Sequence, residues 1–192
     1  ATGGRPRLAG MWSFAGSLQP EPAASRPDLL AAPVAHAVAA LPEAGSVGVA
    51  AIDAGLADTA AFCDAYGVAA ADSANCVIVK GKRGGDVRFA ACVVLATMRA
   101  DVNGVVRRRL DVRSASFAPM EEAVALTGME YGGITPLGLA AEWPILVDAA
   151  VAASAGVVVG AGIRGAKLFL PGAVLAALPG AEIVEGLGRP IG

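Results

Sequence analysis

Residues Thr127 to Gly138 read Thr-Gly-Met-Glu-Tyr-Gly-Gly-Ile-Thr-Pro-Leu-Gly. A regular helix cannot run through them. Gly132 and Gly133 open backbone angles closed to other residues, while Pro136 fixes its own φ and presses Thr135 toward an extended conformation. The product is a loop that offers N–H and C=O groups at close range with little side chain in the way. It is either an ordinary strand-to-helix turn or a main-chain cradle for a small polar ligand.

Outward from this loop, helical and extended patterns alternate. A helix is expected over 28–41, then a strand over 46–52. Asp58-Thr59 should cap a helix that runs to Tyr66 and stops at Gly67. Apolar strands at 76–79 and 88–95 are joined across Gly81 to Asp86, a hairpin turn. Helices follow at 103–110 and 120–126, strands at 145–147, 156–159 and 167–170, and a last helix to Leu178 with Pro171 at its first position. Neighbouring strands with no helix between them predict a mixed sheet with helices packed outside, not a doubly wound parallel sheet. Residues 1–27 carry turn and extended signals and read as an arm, with Trp12 and Phe14 as its anchors if it is ordered. The domain proper is expected over 28–192.

Composition narrows the function. The 192 residues suit one domain, and 55% hydrophobic against 5% aromatic predicts a core of Ala, Val and Leu. A net charge of −2 gives no global pull toward nucleic acid. Locally, nine basic residues against three acidic ones lie between Lys80 and Arg113, among them Arg107-Arg108-Arg109. That run is either a solvated face or a contact for an RNA backbone. Cys63, Cys76 and Cys92 lack disulfide or Cys-x-x-Cys arithmetic, and the single His36 sits in an Ala-rich helical pattern as a structural residue. Neither a metal site nor a cofactor is expected. The chain starts at Ala1, which reads as a processed or trimmed start. Reduced thiols without a signal peptide predict a cytoplasmic protein, and the apolar stretch 144–163, broken by Asp148, Ser154 and glycines, is not expected to span a membrane.

Gly160-Ala-Gly162-Ile-Arg-Gly165 satisfies the dinucleotide-binding spacing Gly-x-Gly-x-x-Gly. That fingerprint needs a helix to open at the turn so that its N-terminus meets phosphate. Here Lys167-Leu-Phe-Leu170 follows, a strand pattern ended by Pro171. The glycines are better read as letting this turn pass close to the 132–136 loop.

Taken together, Gly132-Gly-Ile-Thr-Pro136, the segment Trp143-Pro-Ile-Leu-Val-Asp148, the glycine turn Val158 to Gly165, and Lys167-Leu-Phe-Leu170 with its following helix resemble the YbaK/ProX family of aminoacyl-tRNA deacylases. That family is related to the editing domain of bacterial prolyl-tRNA synthetases, and the resemblance runs from about Ser46 to about Leu187. It implies an α/β (α+β) fold with a mixed, mostly antiparallel curved sheet. It also implies a free-standing enzyme that hydrolyses mischarged aminoacyl-tRNA, with the acylated 3′ end of tRNA as partner. A homodimer is allowed. In the family the substrate supplies much of the chemistry. The protein contributes main-chain contacts from the Gly-x-x-x-Pro loop, here Gly132, Gly133, Ile134, Thr135 and Pro136, and a lysine near the ester.

The lysine is where this chain departs from the pattern. Alignment of the 76–79 strand puts Asn75 at the lysine position and Cys76 beside it. Lys80, at the other end of the strand, lies about 16 Å away if extended, so it cannot stand in. Asn75 donates a hydrogen bond but carries no charge. A non-catalytic binding protein of the same fold is therefore the alternative reading. Four further residues carry two readings each. Asp148 either meets the substrate ammonium or caps the next segment. Thr135 presents its hydroxyl or shapes the loop. Arg164 reaches the nucleotide end, with Gly160 and Gly162 beside it, or stays solvated. Cys76 lines the pocket or packs in the core.

Overall fold

The computed structural model describes residues 10–192. Along the chain the strands are β1 (Glu21–Pro22), β2 (Gly48–Ala51), β3 (Ala74–Arg83), β4 (Asp86–Leu95), β5 (Met98–Ala100), β6 (Ser114–Phe117), β7 (Ile145–Asp148), β8 (Val157–Gly160), β9 (Ala166–Leu170), β10 (Ala181–Val184) and β11 (Gly188–Pro190). The helices are α1 (Ala32–Ala40), α2 (Thr59–Tyr66), the single turn α3 (Arg107–Arg109), α4 (Met120–Thr127), α5 (Ala149–Ala152) and α6 (Gly172–Ala176).

The mixed, mostly antiparallel arrangement is present. One sheet runs β1-β2-β9-β8, all antiparallel; a second runs β10-β7-β4-β3-β6, where the β10–β7 and β7–β4 pairs are parallel and the others antiparallel. β5 and β11 form a short separate pair. The two large sheets meet at a single bridge, Ser73 to Val158. Between them lies the main core, built from valine, leucine and alanine side chains such as Val34, Val49, Val93, Val147, Val159, Leu168 and Leu170.

Local chemistry explains most boundaries. α2 and α4 stop where Gly67 (φ 68°) and Gly128 (φ 67°) turn left-handed. The β3–β4 ladder runs further than the apolar residues alone indicate, pairing Arg83 with Asp86, because Gly84-Gly85 makes a two-residue turn with Gly84 at φ 61°. Pro171 takes the N-cap of α6 rather than its first turn. The helix expected at 103–110 opens as a wide π-turn over Val102–Val106, held by Asp101, whose carboxylate accepts from the amides of Gly104 and Val105.

From residue 10 the expected arm packs onto the β1–β2 side. Trp12 is 6% exposed, its indole N–H donates to the Ser46 carbonyl at 3.0 Å, and its ring covers Gly48. Phe14 tilts against Phe169 with ring centres 6.2 Å apart. Residues 1–9 lie outside the described residues. Among those described, no helix is long and apolar enough to cross a membrane.

Candidate active site

A cavity of about 430 Å³ opens on the seam between the two sheets. Its walls come from five parts of the chain: the start of β3 (Asn75, Cys76), the start of α2 (Asp58, Thr59), the end of β6 with α4 (Phe117, Ala123), the glycine loop (Tyr131, Gly132, Ile134), and the β8–β9 hairpin (Gly160, Lys167). Size and mixed lining suit a small-molecule site.

Main-chain hydrogen bonds hold the two glycine segments face to face. Gly162 N–H donates to the Gly133 carbonyl at 2.7 Å, and Glu130 N–H donates to the Gly162 carbonyl at 2.9 Å. A Cβ on Gly133 would stand 2.7 Å from the Ile163 carbonyl carbon, so only glycine lets the strands of backbone approach this closely. No helix opens at 160–165; the turn connects antiparallel β8 and β9, as the strand pattern after it requires.

Of the residues singled out in the sequence, Asn75, Cys76, Gly132, Ile134 and Gly160 line this cavity. Gly133 stands behind, against the Ile163 backbone, and Gly162 packs on Ala31, the N-cap of α1, and on Val34 within it. Thr135 points into the protein: it is fully buried, and its hydroxyl has no hydrogen-bond partner among the described residues. Pro136 borders a second, more apolar cavity beside α1 and α6, where His36 and Leu178 also lie. Asp148 is 4% exposed and caps α5, accepting from Ala150 N–H at 2.9 Å and from Gly188 N–H at 2.7 Å. Arg164 sits by the cavity rim, donating to the carbonyls of Ala54 at 3.2 Å and Tyr131 at 3.1 Å. Lys80 is bound to Glu122 at 2.8 Å and takes no part in the cavity.

Asn75 is held by its neighbour. The Thr59 hydroxyl donates to Asn75 Oδ1, which leaves the amide nitrogen as the available donor. Beside it, burial first and then Cys92 push the Cys76 thiol far above its usual range. Cys76 is thus a protonated wall, not a thiolate nucleophile.

Lys167 was not expected here. β9 carries it in an apolar run, Ala-Lys-Leu-Phe-Leu, and strand alternation turns it away from the main core toward α2. It is 7% exposed, donates to the Ala57 carbonyl at 2.9 Å, and lies 5.2 Å from the centre of the Phe62 ring. Burial lowers its pKa, with Arg164 adding to the effect and Cys63 and Asp58 opposing it. Among the described residues no carboxylate is hydrogen-bonded to it. The signal in the sequence was available: a lone lysine in an otherwise apolar strand has to put its ammonium somewhere polar.

Phe117 and Tyr131 also line the cavity, at 57% and 56% exposure. Among the described residues they are the only exposed aromatic side chains.

Known proteins agree with this architecture. A solved structure of a candidate trans-editing enzyme for prolyl tRNA synthetase is 23% identical, with a TM-score of 0.69 over 83% of this chain and 96% of that one. A structure from work on grafting linear epitopes onto scaffold proteins is 22% identical, with a TM-score of 0.70 over 83% and 97%. A third, described only as a hypothetical protein, is 22% identical, with a TM-score of 0.61 over 69% and 85%. At these identities the likeness shows the fold. No curated protein matches the sequence. The family model for the aminoacyl-tRNA editing domain matches residues 53–178, which span every wall of the cavity, and so the chain belongs to the aminoacyl-tRNA editing domain family.

Proposed function

We infer that the protein is a free-standing aminoacyl-tRNA deacylase that removes wrongly attached amino acids from tRNA in trans. The observation that carries this reading is the cavity beside Asn75 and Gly132, since a loop packed shut would leave nowhere for an acylated ribose. The aminoacyl group enters between β3 and the glycine loop. Main-chain donors of the loop and the Asn75 amide face the ester, where fixed donors aimed at a developing oxyanion contribute about 3–4 kcal/mol. Phe117 and Tyr131 offer ring faces on which the terminal adenine stacks, an interaction that tolerates any base. Arg164, on the rim, meets the nucleotide's phosphate. Protonated Cys76 shapes the wall rather than attacking the ester. Water is then the attacking group, assisted by a hydroxyl of the substrate's own ribose. We place this activity in the cytoplasm, in the service of translation fidelity.

The test is deacylation of a panel of mischarged tRNAs, including Cys-tRNA and Ala-tRNA charged on tRNA-Pro, by the full chain. Release above background on at least one member is expected. Silence across the panel removes the enzyme reading, and binding of an aminoacyl-adenosine analogue in that case identifies a binding module built on the same fold.

A further inference from the structure

The position that would carry a cation on β3 holds neutral Asn75, yet Lys167 on β9 brings a buried ammonium to the lining of the same cavity. We propose that Lys167 is a catalytic residue of this cavity, which contacts the ester carbonyl oxygen and stabilises the negative charge that forms there. The proposal rests on the deacylase reading above and adds a residue to it.

Three observations converge on Lys167. Its side chain is almost wholly buried, and among the described residues no carboxylate lies at hydrogen-bonding distance; Asp58 acts on it only through space, so the ammonium has no contacting anion of its own. One N–H is spent on the Ala57 carbonyl, which aims the head group while two further donors remain. Ala57, Lys167 and Asn75 line the same cavity, which places the ammonium and the Asn75 amide in one site. A lysine that served packing alone gains nothing from this placement, since an apolar side chain would fill the same space without the desolvation cost.

The chemistry is an ordinary ester hydrolysis. The water oxygen forms a bond to the acyl carbon, and the carbonyl π electrons move onto oxygen, where the Lys167 ammonium and the Asn75 amide hold the charge. Collapse of this intermediate breaks the bond from acyl carbon to ribose oxygen. One proton of the water ends on the ribose oxygen. The other goes to solvent as the product carboxylate ionises. Lys167 gives up no proton; it acts as a fixed charge whose interaction is strongest in the transition state.

The experiment compares the full-length wild type with Lys167→Met and Lys167→Arg on the panel member that is released fastest. Loss of a charge-assisted contact made in the transition state should lower kcat by roughly ten- to a hundredfold in Lys167→Met, with KM changed by less than about threefold. Lys167→Arg should retain more activity than Lys167→Met. The wild-type to Lys167→Met ratio of kcat should also fall as pH rises toward the ordinary lysine range, because only the charged form acts. Asp58, Cys63 and Arg164 are the other titratable or charged groups facing Lys167, and they are common to both proteins. A ratio that stays flat with pH, or a Lys167→Met enzyme as fast as wild type, overturns the proposal while leaving the deacylase reading intact. A wild type that releases nothing overturns both. Should Lys167→Met fail to fold, 13C-lysine labelling of the wild type decides the matter, since the chain has only three lysines. A non-hydrolysable amide analogue of aminoacyl-adenosine should shift the Lys167 Cε resonance, and an unmoved resonance overturns the assignment.

Discussion

The amide of Gly162 donates to the carbonyl of Gly133 at 2.7 Å, so the two glycine-rich segments read separately in the sequence form one hydrogen-bonded unit. A Cβ on Gly133 would meet the Ile163 carbonyl carbon at 2.7 Å and its nitrogen at 2.9 Å. Backbone cannot swing aside as a side chain can. Gly133→Ala should therefore destabilise the protein by about 1–3 kcal/mol in urea denaturation and reduce deacylation by spoiling the cavity wall. Gly165→Ala is the control: nothing lies within 4 Å of its added methyl group, and stability should stay within about 0.5 kcal/mol.

Asp148 separates a structural role from a catalytic one. Its carboxylate accepts from two backbone amides, on Ala150 and Gly188, and does not line the cavity. Removing it in Asp148→Ala strands both donors and should cost about 2–3 kcal/mol of unfolding free energy. At a temperature where the variant is folded, its kcat should match wild type within about twofold. A kcat loss without a stability loss would reverse this assignment.

Thr135 is a case where removing a polar group should help. Its fully buried hydroxyl has no partner among the described residues. Thr135→Val keeps the shape and discards the unsatisfied oxygen, so stability should rise by up to about 1 kcal/mol. Deacylation should be unchanged. A fall in activity at constant stability would mean that the hydroxyl reaches substrate after all.

Lys167 should also leave a mark on the pH dependence of stability. Burial holds its folded-state pKa below the ordinary value of 10.5. Between those two values the unfolded chain binds more protons than the folded one, so stability rises with pH across that window. Below the folded-state value the full penalty of burying the charge is present. Wild-type stability minus that of Lys167→Met should therefore increase as pH is raised from neutrality toward 10.5. Guanidinium denaturation at a series of pH values measures it, and a constant difference would contradict the burial argument.

Much of this fold could be read from the sequence because its signals are local. Gly67 and Gly128 end their helices by adopting left-handed angles, and the apolar runs 90–95 and 168–170 fall in central strands. Elements with weak local signals were missed. β6 is Ser-Ala-Ser-Phe with three exposed residues, and β10 carries Glu182 and Ile183 to the surface, so neither shows an apolar period. Pairing with β3 and β7 makes them strands. The site divides in the same way. The glycine loop and the Gly160 turn announced their closeness through residue type. Lys167 contacts Ala57 across 110 positions, a relation no window of sequence contains. Thr135 and Asp148 were each open to two readings because which way a side chain points depends on register, not on identity.

The single bridge from Ser73 to Val158 means that no continuous ladder sets the spacing across the cavity. Inter-strand spacing inside a sheet is pinned by its hydrogen bonds, whereas the gap at a seam is set by whatever side chains are wedged behind it. Exchanging one aliphatic residue for another in the layer beneath can thus widen or narrow the entrance to an aminoacyl group while every ladder stays intact. Such an architecture lets substrate choice drift among relatives through interior residues that never touch the substrate.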